Sequence, residues 1–196
     1  DDVAIWDRAL TVDEISYLYN DGQGNTPAAV PTIVWVTEEL DLDGDGVQDD
    51  QGFIDLLTDA GYNLDVQPNY WEELDPNKID ALNAADLVIV SRTSNSGNYN
   101  SDDEPTLWNN VTAPMIQMSA YLTRSSRWLW FDNASIDDQA AVFMMVVDVN
   151  HPIFADVAID ADGLVEVFDP AVGSGLVSML ANTDAGNGSV IATTIT

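Results

Sequence analysis

The chain has no cysteine, one lysine, one histidine and four arginines among its 196 residues. Without cysteine there can be no disulfide scaffold, no thiolate metal site and no cysteine nucleophile. With one histidine, any imidazole base must be His151. Five basic residues face thirty-four acidic ones, for a net charge of −29. Such a surface repels nucleic-acid phosphates and anionic lipid, so nucleic acid is excluded as a partner. No apolar run approaches the roughly 18 residues that a membrane span needs, and the opening DDVAIWDRAL lacks the charged and apolar regions of a signal peptide.

What is present is a folding composition. Apolar residues make up 46% of the chain, with six Trp, six Tyr and five Phe, enough for a real core. The acidic surface repels itself, so salt or divalent cations should stabilise the fold. A saline setting and a calcium-rich extracellular one fit this equally.

Residues 1–24 read as a strand followed by a short helix. Asp2 to Trp6 alternates loosely, Thr11 and Glu14 have the spacing of a capping box, and Ile15, Leu18 and Tyr19 follow at helical spacing before Asn20-Asp21-Gly22. One strand and one short helix cannot form a core, so the segment belongs with something upstream. The string DDVAIWDRALTVDEISYLYNDG resembles the closing strand and helix of laminin-G-like, concanavalin-type jelly-roll domains. The resemblance implies an upstream laminin-G-like β-sandwich of the same polypeptide as a partner. It also implies a carbohydrate or cell-surface ligand for the whole protein. Residues 25–31 close a Gly- and Pro-containing linker.

From residue 32 to 196 the pattern is α/β. Thr32 to Val36 is a continuous apolar run suited to a buried parallel strand. A helix is expected over 51–60, with Phe53, Ile54, Leu56 and Leu57 inward and Gly61 at its C-terminal end. A strand over 62–66, a helix over 77–84 opened by Asp75-Pro76, and a strand over 86–91 follow. Pro105 to Trp108 opens a short helix, and 114–119 is a fourth strand. Residues 127–131 and 141–149 suit either strand or core helix, and 163–168 and 190–195 suit later strands. This alternation predicts an open, mostly parallel, doubly wound sheet, preceded by the strand–helix remnant of a β-sandwich. The order of elements, with AADLVIVS and NHPIF, resembles class I glutamine-amidotransferase-like domains of the flavodoxin-like kind. The resemblance implies that fold without the activity, because the family's nucleophile is a cysteine. At the matching turn stand Gln117-Met118-Ser119-Ala120-Tyr121. Ser119 with His151 is the one nucleophile–base pair the chain can offer, but Met118 and Tyr121 suit a strained elbow poorly.

Two further patterns carry chemistry. In DLDGDGVQDD, Asp41, Asp43 and Asp45 alternate around glycine. That spacing wraps hard oxygen ligands about one calcium ion, with the Val47 carbonyl and Asp49 completing the set. The run resembles EF-hand, dockerin and thrombospondin type 3 calcium loops. The twelfth position is Gly52 where an EF-hand has glutamate, so either Asp50 would have to stand in or the site is weaker or water-filled. The alternative is an acidic surface loop in which Asp49 or Asp50 caps the next helix. The second pattern is Arg92, Arg124 and Arg127, each just past an expected strand. With Ser91, Asn95 and Tyr121 they can line a crevice for a carboxylate, phosphate or sugar. The alternative is that they pair with nearby acids and pin loops. Together these features predict a non-catalytic, extracellular binding module with structural calcium. A Ser119 hydrolase and a structural spacer are the two competing readings.

Overall fold

The computed structural model describes residues 10–19, 29–68, 73–92, 94–139, 143–167, 177–180 and 188–194. Helix α1, Val12–Tyr19, begins at the expected capping box. The Thr11 N–H donates to Glu14 Oε2 at 2.7 Å, and the Glu14 N–H returns to Thr11 Oγ1 at 3.2 Å. The strand expected over residues 2–6 lies outside the described residues.

Four parallel strands form the main sheet: β1 (Thr32–Val36), β2 (Asn63–Gln67), β3 (Leu87–Val90) and β4 (Met115–Gln117). Helix α2 (Gln51–Asp59) connects β1 to β2, α3 (Pro76–Asn83) connects β2 to β3, and α4 (Glu104–Asn109) connects β3 to β4. The order across the sheet is β2-β1-β3-β4. Pairing is in step, with Val34 opposite Val88 and Trp35 opposite Ile89. Side chains alternate across a strand, so β1 sends Val34 and Val36 to one face and Ile33 and Trp35 to the other. The first face packs Val88, Val90, Leu82 of α3 and Trp108 of α4; the second packs Ile89 and Ile54 of α2. Helices therefore cover both faces, which is why β1 and β3 read as unbroken apolar runs.

Helix caps follow the sequence closely. Asp75 accepts the Lys78 N–H at 2.9 Å with Pro76 at the first helical position, and Gly61 closes α2 at φ +89°. The inward face of α2 is narrower than expected. Ile54 is buried and Leu57 is partly buried against the core, but Leu56 is exposed, and Phe53 lies half out while stacking on Trp35 at 6.1 Å. The helix covers the sheet along one ridge, so only that ridge is fully enclosed.

Beyond β4 comes the one-turn helix α5, Ala120–Thr123. Residues 127–131 are neither strand nor helix. Turns close there through Arg127 N–H to Arg124 O and Leu129 N–H to Arg124 O, both 3.0 Å. The remaining strands do not extend the parallel sheet. They are β5 (Ile136–Gln139), β6 (Phe143–Val146), β7 (Leu164–Glu166), β8 (Val177–Leu180) and β9 (Ala192–Thr194). They pair antiparallel, β5 with β8, and β6 between β7 and β9. Parallel pairing needs a long crossover, and between β6 and β7 the chain makes only the 3₁₀ turn Pro152–Phe154. No helix among the described residues is long and apolar enough to cross a membrane.

Candidate functional site: the carboxyl edge of the parallel sheet

Because β1, β3 and β4 run parallel, the loops that follow them emerge on one edge. The loop after β1 carries the acidic run. Asp41 folds it: its carboxylate accepts the N–H groups of Gly44 at 2.7 Å, Asp45 at 3.1 Å and Gly46 at 3.0 Å. Gly44 and Gly46 take φ +76° and +89°, where a side chain would be strained. Asp49 accepts the Leu42 N–H and donates its own N–H to Leu40 O at 2.8 Å, closing the base of the loop. As a result, carboxylate oxygens of Asp41, Asp43 and Asp49 lie within 4.8 Å of one another, all on exposed residues.

The structure does not bring all the expected ligands together. Asp45 is outside that group; its Oδ1 accepts the Val47 N–H at 2.8 Å. Asp50 turns the opposite way and is 2% exposed. Its Oδ2 accepts from Thr37 Oγ1 at 2.5 Å and from Trp35 Nε1 at 3.3 Å, inside the core. The expectation that Asp50 replaces the twelfth-position glutamate is thereby corrected, because helix α2 starts at Gln51 and carries Asp50 inward with Ile54.

The Asp41 carboxyl is held below the ordinary aspartate range, chiefly by the Gly46 N–H; loss of hydration, next in size, opposes this, and the Gly44 N–H, the Asp43 side chain and the Asp45 N–H add to the lowering. A depressed folded-state value stabilises the fold above the unfolded value, and the contribution is lost as pH falls through the folded one. We expect side-chain ¹³C titration to place the Asp41 midpoint below that of a free aspartyl peptide. A midpoint at or above the peptide's would mean the loop is not folded in this way.

The loop after β3 is tied to its neighbours on both sides. Glu38 Oε1 accepts the Asn95 N–H and, at 3.1 Å, Asn98 Nδ2. Tyr99 is buried, donates to Ser94 Oγ at 3.1 Å, and receives Trp128 Nε1 on its carbonyl at 3.2 Å. Trp128 stacks on Trp108 at 5.1 Å and meets Tyr99 edge-on at 6.1 Å. This aromatic base supports the segment that carries two of the expected arginines.

Arg124 Nη2 and Arg127 Nε both donate to Ser96 Oγ, at 3.3 and 3.4 Å. Arg124 Nε also donates to Tyr121 O at 2.9 Å, and its guanidinium lies 5.2 Å from the Tyr121 ring centre. Arg127 Nη1 donates to Ser126 O at 2.9 Å. Every one of these acceptors is neutral, so among the described residues these two arginines do not pair with nearby acids. Burial, and next the charge of Arg127, lower the Arg124 pKa from its ordinary value. Arg92 is exposed on the turn after β3 and shares none of these contacts. Ser91 is fully buried, with its N–H on Val36 O at 2.9 Å, so it does not line an open crevice. Asn95 is exposed, but its Oδ1 accepts the Gly97 N–H at 3.0 Å. Ser96, Glu38 and Trp128 organise this edge, and sequence reading assigned none of them there.

Ser119 stands at the N-cap position of α5 and is 1% exposed; among the described residues its Oγ has no hydrogen-bond partner, so it is not bonded to His151. His151 instead caps the 3₁₀ turn, its Nδ1 accepting the Ile153 N–H at 3.3 Å. Compared with models of protein families, with curated proteins and with solved structures, the chain matches none significantly.

Proposed function

We propose that this chain is a non-catalytic binding module of a larger extracellular or cell-surface polypeptide. Its ligand seat is the carboxyl edge of a flavodoxin-like sheet, and calcium is a structural ion of the 41–49 loop. The observation that carries this reading is the lacing of the loops after β1, β3 and β4 by Glu38, Tyr99 and Trp128 around Arg124 and Arg127. The order β2-β1-β3-β4 agrees with flavodoxin-like sheets, whose ligands lie beyond the strand ends where the order reverses, here β1 and β3.

The acidic loop suits calcium in its chemistry. Three carboxylates this close repel one another, and a hard divalent ion relieves that repulsion through oxygen ligands. With Asp50 buried, Asp41, Asp43 and Asp49 would hold the ion, with water in the remaining positions. Helix α1 supports an upstream partner domain, because Val12, Ile15, Tyr17 and Tyr19 all face solvent.

A sealed Ser119 without a base supports binding over hydrolysis. The test is to present the full chain to a glycan array in calcium, and in parallel to panels of ester and amide substrates. Calcium-dependent glycan binding without turnover is expected. Hydrolysis that disappears in Ser119→Ala would replace this reading with the hydrolase, and a chain that binds nothing would be a spacer.

A further inference from the structure

Arg124 and Arg127 stand apart in a chain of net charge −29 because neither forms an ion pair among the described residues. Two adjacent cations held on neutral oxygens raise each other's energy, and Arg127's charge already weighs on Arg124. A structural role would be met better by one arginine on one carboxylate, and Asp102, Asp103 and Asp132 are all exposed in the neighbouring loops. The geometry is that of donors left in reserve. Among the described residues, Arg124 Nη1 and Arg127 Nη2 have no acceptor, while the other four guanidinium nitrogens, which fix the two planes, are engaged. Ser96 Oγ accepts from both arginines, which leaves its own proton as a further donor beside them.

We propose that Arg124, Arg127 and Ser96 form a seat for one compact oxyanion, a carboxylate, sulfate or phosphate group borne by a small ligand or a glycan. This rests on the reading of the carboxyl edge as the ligand-binding edge. Fixed guanidinium forks bind such groups by paired, charge-assisted N–H···O bonds. The seat takes a single group and not a polyanion. An extended polyanion would overlie the acidic loops on either side, and at physiological salt the attraction of the pair reaches only about 8 Å. The Tyr121 ring under Arg124 keeps that guanidinium from swinging toward bulk water.

The chain's four arginines give four Nε–H signals, so ¹H–¹⁵N spectra of the whole protein read the seat directly. Sodium sulfate, phosphate and acetate are each titrated against sodium chloride at constant ionic strength. The Arg124 and Arg127 signals are expected to shift and saturate, while those of Arg8 and Arg92 drift linearly. Arg127→Gln should weaken saturation at Arg124 at least tenfold, and Ser96→Ala should weaken it without altering the dispersion of the backbone spectrum. Lys78→Gln, which removes a distant charge, should leave saturation intact. Linear drift at all four arginines, or saturation unchanged in Arg127→Gln, would overturn the proposal. Glycan binding that survives Arg127→Gln would sink this seat and leave the binding-module reading standing. Sulfate saturation in a chain that binds no glycan would keep the seat and assign its oxyanion to a small ligand.

Discussion

Replacing Trp128 with alanine is expected to destabilise the protein by about 3–5 kcal/mol, the range for removing a fully enclosed large aromatic. Trp128 is 1% exposed and touches three other aromatic rings. Its Nε1–H holds the Tyr99 carbonyl, and its own carbonyl accepts Asn109 Nδ2 at 2.8 Å. Truncation therefore opens a cavity and leaves a buried carbonyl without its donor, two penalties that add. Trp130 is the control. It lies 5.8 Å from Trp128 but is 40% exposed, and its Nε1 donates to the exposed Asn109 side chain at 2.8 Å. Trp130→Ala should cost about 1 kcal/mol. Both variants are compared by urea unfolding at one fixed salt concentration, because a chain this acidic responds to ionic strength by itself. A Trp128→Ala cost no larger than that of Trp130→Ala would show that Trp128 does not support the carboxyl edge.

That edge illustrates what a sequence displays and what it hides. The four parallel strands were legible because burial on both faces removes polar residues from β1 and β3, and because each helix start carries its own chemistry, such as Asp75-Pro76. The antiparallel strands were harder to read. Strands β7 and β9 fall within the expected 163–168 and 190–195, whereas β5 and β8 were not expected, and no local pattern showed that these short strands pair antiparallel with partners distant in the chain. In the acidic loop the alternation of Asp41, Asp43 and Asp45 located the cluster, although Asp45 falls outside it. Asp49 and Asp50, however, are neighbours of one kind with opposite fates, one in the loop and one in the core. Only the phase at which α2 begins separates them, and a hydrophobic pattern does not fix phase to one residue. The arginines could be placed near strand ends from the sequence. Their convergence on Ser96 could not, since nothing distinguishes that serine from Ser91 or Ser94.

Calcium is expected to raise the melting temperature through the 41–49 loop, beyond any effect of ionic strength. With three exposed carboxylates and no bidentate glutamate, the proposed site would bind calcium only weakly, with a Kd of about 0.1–1 mM. An ion that binds only the folded state stabilises it by RT ln(1 + [L]/Kd), so about 10 mM calcium should add roughly 1.4–2.7 kcal/mol. For a domain of this size that is a rise of about 3–10 °C. The measurement is made in about 0.5 M NaCl, where screening is already strong and further salt does little. Asp41→Asn and Asp43→Asn should abolish the rise, while Asp80→Asn on α3 keeps it. Asp50→Asn separates position from mere charge. Losing the buried carboxylate that receives Thr37 and Trp35 should lower the starting stability by about 1–3 kcal/mol, yet the calcium increment should survive, because Asp50 faces the core and not the loop. Magnesium should substitute poorly, since it demands a tighter octahedron than an exposed loop provides. If calcium and sodium raise the melting temperature equally per unit ionic strength, or if Asp50→Asn removes the calcium response as fully as Asp41→Asn, the loop is ordinary acidic surface and the metal reading fails.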